Sequence, residues 1–105
     1  MTESEFLDQT DSLFDSLQTA LDAGAHDLDY ELNGGVLEIE FENGEKMIIN
    51  RHLPNREIWV AARSGGYHFA RQADGRWLNT RDGDELGELL SRLISTACGS
   101  RFTWP

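Results

Sequence analysis

The stretch VLEIEFENGEKMIIN, residues 36–50, decides the fold of this chain. Within residues 36–42, apolar and acidic side chains alternate from Leu37 onward, which predicts a strand with one apolar and one acidic face. Asn43 and Gly44 are a strong signal for a two-residue hairpin loop, because both central positions of such a loop must accept positive φ. Residues 46–51 are predicted to return as the second strand. The stretch therefore predicts an antiparallel hairpin whose apolar face carries Leu37, Ile39 and Phe41.

Further short strands are predicted on both sides of this hairpin, at residues 28–32, 56–62, 67–69 and 76–78. The connections between them are short and several are rich in glycine, as in Asn33-Gly34-Gly35. Parallel neighbours would need crossover connections of a dozen or more residues. We therefore expect one antiparallel sheet of about six strands, with each strand next to its neighbour in the chain.

An amphipathic helix is predicted at each end of the chain. In residues 4–23 apolar side chains recur at helical spacing, and Gly24 is expected to end the helix. Asp84 can cap a second helix, which Gly99 closes. Two amphipathic helices would cover one face of the sheet, so the predicted fold is an α+β two-layer sandwich. The apolar stripe of the first helix comprises Phe6, Leu13, Leu17 and Leu21.

Length and composition predict one soluble domain over residues 1–105. A chain of this size buries roughly two-thirds of its unfolded surface and needs no disulfide to fold. Cys98 is the single cysteine, so no internal bridge can form, which fits a reducing cytoplasm. The N-terminus is acidic, unlike a signal peptide, and the longest apolar run, residues 58–62, is too short to span a bilayer. We expect a cytoplasmic protein with no membrane partner.

The acidic residues are concentrated in the first half of the chain. Residues 1–45 contain thirteen Asp and Glu and no Lys or Arg, whereas residues 46–105 contain nine basic and six acidic residues. The halves therefore carry formal charges of −13 and +3. Binding to DNA or RNA demands clustered Lys and Arg, so this distribution argues against a nucleic-acid partner. The acidic half is suited to cations or to a basic protein surface.

Four of these carboxylates fall within a narrow strip on the side of the first helix opposite its apolar stripe, namely Asp8, Asp11, Asp15 and Asp22. A solvated helix face usually intersperses Lys or Arg four residues away, which relieves repulsion, and this helix contains none. The strip is therefore a candidate functional surface. The alternative interpretation is that acidic residues simply keep the protein soluble.

Motifs of known enzyme classes are mostly missing. The sequence has no phosphate-binding glycine loop, no His and Cys at zinc-ligand spacing, and no nucleophile elbow. His26, His52 and His68 lie in three different segments and are interpreted as loop or structural residues. A row of exposed aspartates also lacks the sheltered carboxyl pair that general acid–base catalysis needs. We expect a protein that is not an enzyme and has no catalytic residue.

The orientation of Trp59 is left open by its strand. If Ile58 and Val60 point into the core, alternation places Trp59 on the free face of the sheet. Alternatively, Trp59 is itself buried, since tryptophan is highly buried on average. Near the C-terminus, Phe102 and Trp104 are expected to pack against the two helices.

An ordered series of segments between Asn33 and Phe69 carries a family resemblance. The segments are Asn33-Gly34-Gly35-Val36-Leu37, Phe41-Glu42-Asn43-Gly44, Ile49-Asn50-Arg51 with Pro54, Trp59-Val60-Ala61, and Gly65-Gly66-Tyr67-His68-Phe69. In this order and spacing they resemble the frataxin family, its bacterial branch in particular. The resemblance covers essentially the whole chain, and its fold agrees with the one predicted from the pattern of strands and helices.

The resemblance implies an iron-binding surface that we call the acidic ridge. It maps onto Asp8, Asp11, Asp15, Asp22, Asp27, Asp29 and Glu31, with Glu3 at its start and Glu42 on the neighbouring strand. Gln18, Thr19 and Ala23 stand where close relatives are usually acidic. The expected metal site therefore moves toward Asp27, Asp29 and Glu31, with His26 as a candidate additional ligand.

The resemblance also implies the role of the chain as an iron-binding regulator or iron donor of iron–sulfur cluster assembly. It would dock on the cysteine desulfurase and the iron–sulfur scaffold protein, and the residues implied in partner contact are Asp22, Asp29, Glu31, Asn50 and Trp59. Carboxylates would bind Fe²⁺ or Fe³⁺ weakly, and other divalent or trivalent cations could substitute. We expect a monomer, with metal-induced oligomers left open.

A ferroxidase that oxidises Fe²⁺ and stores iron in oligomers is the alternative function. That activity is attributed to some members of the family which the chain resembles. A ferroxidase centre favours inward-facing Glu and His ligands on buried helices, whereas the acidic strip is expected on the surface. The sequence therefore favours binding and regulation over catalysis.

Overall fold

The computed structural model of the chain describes residues 1–24 and 28–104. Within these ranges a helix, a run of strands and a second helix follow one another. Their bounds are α1 Glu3–Gly24, β1 Leu28–Asn33, β2 Val36–Phe41, β3 Lys46–His52, β4 Glu57–Ala62, β5 Gly65–Arg71, β6 Trp77–Asn79 and α2 Leu86–Cys98. In this described part, neither helix is long and apolar enough to cross a membrane.

The strands form one six-stranded sheet in the order β1-β2-β3-β4-β5-β6, and every neighbouring pair is antiparallel. Both helices pack on one face of this sheet, as their buried residues join those of the strands in one core cluster. The predicted α+β two-layer sandwich is confirmed. The opposite face of the sheet, which we call the open face, carries no helix in the described part of the chain.

The core follows from the alternation of the strands and the apolar stripe of α1. Leu37 and Ile39 on β2 are fully buried, whereas Glu38 between them is exposed. On α1 the predicted residues Phe6, Leu17 and Leu21 are buried, and Leu13 is partly buried against the same core. The remaining buried residues of α1 are Thr10 and Phe14. The apolar side chains that follow the period of two in the strands therefore pack against those that follow the helical period in α1.

The two-residue hairpin loop lies between β1 and β2 and not at Asn43-Gly44. Gly34 and Gly35 form that loop, with φ of 55° and 85°, between the paired residues Asn33 and Val36. This is the backbone conformation that a tight hairpin requires and that glycine adopts at no steric cost.

The predicted two-residue loop at Asn43-Gly44 is wrong, although the hairpin itself is confirmed. Four residues, 42–45, join β2 to β3, and Gly44 has a φ of 89°. The amide of Glu45 donates to the side-chain oxygen of Asn43 at 2.9 Å. Asparagine often bonds the backbone two residues on in this way. This local bond gives Asn43 a partner within a longer loop.

The cap of α2 is Glu85 and not Asp84, which corrects the predicted start of this helix. Glu85 has extended backbone angles, and its carboxylate accepts hydrogen bonds from the amides of Gly87 and Glu88 at 2.8 and 3.0 Å. The carbonyl of Asp84 instead accepts from the amide of Asn79 at 2.7 Å. The backbone of Asp84 is therefore bonded to Asn79, the last residue of β6, and the helix begins one residue later than predicted. Gly99 ends the helix with a φ of 71°, as predicted.

The C-terminal segment packs against both helices, as predicted for Phe102 and Trp104. Both side chains are buried. The indole Nε1 of Trp104 donates to Oγ of Ser16 on α1 at 3.1 Å. The amide of Trp104 donates to Oγ of Ser91 on α2 at 2.9 Å, and the amide of Phe102 to Oγ of Ser95 at 2.8 Å. The segment thus links the two helices that cover the sheet.

Arg51 connects the sheet to α1 by passing close over Gly35. Its Nη1 donates to Oδ1 of Asp11 at 2.6 Å and to Oγ1 of Thr10 at 3.3 Å. A Cβ atom on Gly35 would lie 2.8 Å from Nε of Arg51 and 3.2 Å from its Nη2. Gly35 is therefore needed for two reasons, its positive φ and the space that the guanidinium occupies.

We expect Gly35→Ala to destabilise the fold more than Gly34→Ala. Both changes place a side chain at positive φ, which costs roughly 1–2 kcal/mol. A Cβ on Gly34 would meet no atom within 4 Å, whereas one on Gly35 displaces Arg51. The loss at Gly35 should therefore exceed that at Gly34 by about 1 kcal/mol, through the displaced ion pair. Urea unfolding of both variants measures the difference, and equal losses would contradict this role of Gly35.

Candidate metal and partner site

The acidic strip of α1 lies on the surface. Asp8, Asp11, Asp15 and Asp22 are all exposed, while the opposite side of the helix is buried. The helix has no basic residue in its last turn, where a cation would offset the partial negative charge of the helix end. Asp8 and Asp22 are separated by about 21 Å along the axis at the rise of an α-helix, so they cannot share one ion.

Asp11 differs from the other aspartates of the strip because it already has a counter-ion. Its carboxylate receives the 2.6 Å contact from Arg51, whose side chain is 19% exposed, whereas the side chain of Asp11 is 66% exposed. The cation comes from β3, forty positions along the chain. The sequence shows no cation within the helix, and the fold supplies one. A metal ion at Asp11 would have to compete with Arg51.

Asp22 connects the end of the acidic strip to the sheet. Its Oδ1 accepts a hydrogen bond of 2.5 Å from the hydroxyl of Tyr30 on β1. This bond to a carboxylate raises the pKa of the Tyr30 hydroxyl, because ionisation would place two anions side by side. Asp29 and Glu31 flank Tyr30 in the chain and point to the open face, as alternation requires. The acidic ridge thus continues from α1 around the edge strand β1.

Four carboxylates meet on the open face across β1 and β2, and we call them the carboxylate quartet: Asp29, Glu31, Glu38 and Glu40. Asp29 lies directly opposite Glu40, and Glu31 directly opposite Glu38. Like charges in directly opposed positions destabilise a sheet. Glu38 and Glu40 were not among the predicted site residues, although the alternation of residues 36–42 already placed them together on the acidic face.

Lys46 on β3 offsets part of the charge of the quartet. Its Nζ lies 3.3 Å from a carboxylate oxygen of Glu38 and 3.7 Å from one of Glu40. The hydrogen bond with Glu38, the charge of Glu38 and then that of Glu40 raise the pKa of the Lys46 ammonium. Asp29 and Glu31 on the outer strand have no such ion pair among the salt bridges of the described residues. They are therefore the carboxylates of the quartet most available to an added cation.

The donors of the quartet fit a hard cation, but they do not form a closed cage. The side chains line a shallow concavity of about 230 Å³ together with Tyr30. Carboxylate oxygens are the ligands that hard cations prefer. Among residues 1–24 and 28–104, however, no three His, Cys, Asp or Glu side chains converge closely enough to hold a metal ion. An ion bound here would keep much of its water shell, so its binding would be weak.

The other predicted ligands are distributed along the ridge. Glu3 begins α1, and Glu42 follows β2, where it lines a second shallow concavity with Asp29 and Glu40. His26 and Asp27 lie outside the described residues. The structure therefore brings Asp29 and Glu31 together with two glutamates that were not predicted, Glu38 and Glu40. Asp22 bonds to Tyr30, the residue between Asp29 and Glu31 in the chain. It leaves Glu3 and Asp8 at the far end of α1.

Trp59 lies on the open face, which decides between the two orientations that the sequence allowed. Ile58 and Val60 are buried, and the Trp59 side chain is half-buried on the other face. Asn50, the other predicted contact residue on this face, is its direct neighbour on β3. The indole Nε1 donates to Oε1 of Glu57 at 2.8 Å.

His52 and His68 enclose Trp59, and we call the three rings the ring stack. The His52 and Trp59 ring centroids are 3.6 Å apart with 9° between the planes, and those of Trp59 and His68 are 4.2 Å apart with 10°. His52 and His68 thus lie in different strands, as the sequence indicates, but the fold brings both rings against the same tryptophan. Sequence spacing could not reveal the contact, because it depends on the register that pairs β4 with both β3 and β5.

Apolar side chains extend the surface next to the ring stack. Val36 and Ile48 are 36% and 38% exposed, which is unusual for large apolar side chains of this chain. Ile48 is paired with Ala61, and both lie on the open face. The open face is thus divided into a carboxylate part on β1 and β2 and an aromatic and apolar part on β3, β4 and β5, which Val36 joins from the start of β2.

We expect Glu31→Gln to stabilise the protein. The change removes a like-charge contact with Glu38 and keeps the shape of the side chain, so the gain should be roughly 0.2–1 kcal/mol. Thermal unfolding at low ionic strength measures it. The gain should disappear in about 1 M salt, where the screening length is about 3 Å. A variant that is no more stable than the parent at low salt would show that the quartet is not under electrostatic strain.

Comparisons with known proteins agree with this architecture. The model of the family described as a frataxin-like domain matches residues 1–100. A curated relative, the iron–sulfur cluster assembly protein CyaY of Neisseria meningitidis serogroup B (strain ATCC BAA-335 / MC58), is 46% identical over 99 residues, which cover 94% of this chain and 92% of that protein.

Solved structures show the same fold. A frataxin from Psychromonas ingrahamii is 33% identical and superposes with a TM-score of 0.93, covering 100% of this chain and 99% of that one. A trimeric frataxin from the yeast Saccharomyces cerevisiae, complexed with ferrous iron, is 32% identical with a TM-score of 0.70, covering 95% and 88%. With the family model over residues 1–100 and this level of identity over nearly the whole chain, the protein belongs to the frataxin-like family.

Proposed function

We propose that this chain is an iron-binding regulator or iron donor of iron–sulfur cluster assembly, and that it docks on the cysteine desulfurase–scaffold complex. The observation that carries this proposal is the continuity of exposed carboxylates from Asp22 on α1, across Tyr30, to Asp29 and Glu31 on the open face. The names of the curated relatives support the pathway. The family contains a yeast structure in complex with ferrous iron, which supports the ligand.

The acidic ridge is proposed as the contact for the cysteine desulfurase. An anionic surface of this extent accelerates encounter with a basic partner and disfavours acidic ones. Most of its carboxylates have no paired cation in the described structure, so a partner need not displace many existing ion pairs. The second contact is the part of the open face around Trp59 and Asn50, which offers apolar area to the scaffold protein.

Iron is proposed as a weakly bound cargo or signal on the ridge. The exposed oxygen donors of Asp29 and Glu31 suit Fe²⁺ and Fe³⁺, as well as Mn²⁺, Ca²⁺ and lanthanides. Open carboxylate sites bind with dissociation constants of roughly micromolar to millimolar. Weak binding permits transient delivery or sensing, and an ion held between the ridge and a partner would couple iron to docking.

We propose binding in preference to ferroxidase catalysis. Of the residues that the structure describes, the buried polar side chains are Thr10 and Asn79, and no carboxylate is among them. A di-iron oxidase centre would place Glu and His ligands in the interior. Oxygen consumption by pure monomer after addition of Fe²⁺ distinguishes the two functions. Rapid, stoichiometric consumption would favour the ferroxidase, and oligomers such as the yeast trimer would then need testing as its active form.

We expect reversal of Asp22, Asp29 and Glu31 to Lys to abolish desulfurase binding while the fold is retained, because these side chains are exposed. Calorimetry or interferometry with purified desulfurase measures the affinity, and far-UV circular dichroism checks the fold. The affinity of the parent should also fall as salt rises.

A control variant of equal net charge carries the same reversals at exposed positions outside the ridge, Asp74, Asp82 and Glu88. It should retain most of the affinity. Binding that survives the first triple reversal with ordinary salt dependence would remove the acidic ridge from the interface.

We expect cations to stabilise the folded protein through the ridge. A cation that binds only the folded state, at about a hundredfold excess over its dissociation constant, adds about 2.7 kcal/mol. For a domain near this size the melting temperature should rise by roughly 10–20 °C. Scanning calorimetry with Mn²⁺, and with Fe²⁺ under anaerobic conditions, measures the shift.

The matched variant neutralises three ridge carboxylates through Asp22→Asn, Asp29→Asn and Glu31→Gln. Its metal-free melting temperature should lie above that of the parent, because repulsion is reduced, and its response to metal should be smaller. A variant that melts lower than the parent and still responds fully to metal would place the binding site elsewhere.

A further inference from the structure

The ring stack leaves the indole of Trp59 with neither of its faces available. The ring of His52 lies on one side at 3.6 Å and that of His68 on the other at 4.2 Å, and both are nearly parallel to the indole. The three residues come from β3, β4 and β5, where Trp59 is the direct cross-strand neighbour of His68. Two independent strands therefore contribute one ring each to the same tryptophan.

The rotation of the indole is restricted as well. Its Nε1 donates to Oε1 of Glu57 at 2.8 Å, and Glu57 is two residues away on the same face of β4. The ring planes restrict the indole on both faces, and this hydrogen bond restricts its orientation within the plane. A free surface tryptophan would have to lose its side-chain freedom when a partner binds. Here that freedom is already restricted in the unbound protein.

The surface next to the indole shows what a partner can reach. A shallow apolar concavity of about 260 Å³ adjoins Trp59, and its lining includes Ile48, Ala61 and His68. Ile48 is one of the large apolar side chains that the fold leaves exposed. The contact surface thus consists of the edge of the indole and an aliphatic hollow beside it.

The covered faces also limit the chemistry of the partner. A lysine or arginine that binds tryptophan through a cation–π contact must lie over the ring face, and so must an aromatic ring in offset stacking. Both positions are taken by the imidazoles. What remains is the edge of the indole and the aliphatic hollow, which fit an aliphatic side chain.

We propose that His52 and His68 are positioning residues, which hold Trp59 with the edge of its indole toward the partner. An aliphatic side chain of the scaffold–desulfurase complex then packs between that edge and Ile48. This inference rests on the proposed function, in which Trp59 contacts that complex. It adds the reason why the contact is specific: the imidazoles fix the tryptophan in advance and close its faces to cationic and aromatic groups.

The test compares two double variants. His52→Gln with His68→Gln keeps polar side chains and removes both rings, whereas His52→Phe with His68→Phe keeps two flat rings at the same positions. Affinity for the purified scaffold–desulfurase complex should fall about three- to tenfold in the glutamine variant, which corresponds to the cost of ordering one large side chain on binding. The phenylalanine variant should bind like the parent. The single change His68→Gln, at an exposed position, serves if the double variant folds poorly.

A readout on the free protein checks the stack independently of any partner. Trp77 and Trp104 are buried, so acrylamide quenching of fluorescence reports mainly on Trp59. Quenching should increase in the glutamine variant and remain near the parent value in the phenylalanine variant. The indole N–H resonance of Trp59, which Trp59→Phe identifies, should lose the ring-current shift of its neighbours only in the glutamine variant.

Trp59→Ala separates failure of this inference from failure of the proposed contact. If Trp59→Ala weakens binding and the glutamine variant binds like the parent, the imidazoles do not position the indole and the inference is overturned. If the glutamine and phenylalanine variants weaken binding equally, stacking is not the cause and the inference is again overturned. If Trp59→Ala itself binds like the parent, the proposed contact through Trp59 is wrong, and the positioning role is lost with it.

Discussion

The pairing register of the central strands is the constraint on which the rest of the structure depends. Leu37, Ile49 and Val60 lie in line across β2, β3 and β4 and are buried beneath the helices. A slip of one residue would turn these side chains to solvent and press carboxylates against the helices. Burial therefore specifies the register, and the same register determines which side chains meet on the open face.

The open face carries two kinds of surface side by side. In the proposed function the carboxylate quartet, together with the exposed aspartates of α1 around the edge of the sheet, acts through charge over distances of about 8 Å at physiological salt. The ring stack and its apolar neighbours would act only on contact, through area removed from water. Lys46 lies at the boundary, where it pairs with Glu38 and Glu40. Under that proposal a partner is attracted by the first surface and oriented by the second, and the fold carries like-charge repulsion across β1 and β2 as the cost.

Much of the fold could be predicted from the residues because each pattern agreed with its neighbours. The alternation of residues 36–42, the stripe of α1 and the packing of Phe102 and Trp104 were all confirmed. The details that failed were the two-residue loop at Asn43-Gly44, which is longer, and the cap at Asp84, which is Glu85. In both places a side chain bonds the backbone nearby and shifts a boundary by one or two residues. Such local competition is not visible in hydrophobic periodicity.

The sequence by itself determined the antiparallel sheet, the two covering helices and the unbalanced charge of the first half, since these follow from periodicity and composition along the chain. Only the tertiary structure decided which of the acidic groups act together. It paired Asp11 with Arg51, set Asp29 and Glu31 opposite Glu40 and Glu38, and brought His52 and His68 to the two faces of Trp59. The physical reason is that the register of the strands and the packing of α1 on the sheet bring together residues up to forty positions apart in the chain. Composition and spacing predict which strands are neighbours, but they do not specify which residues meet across them.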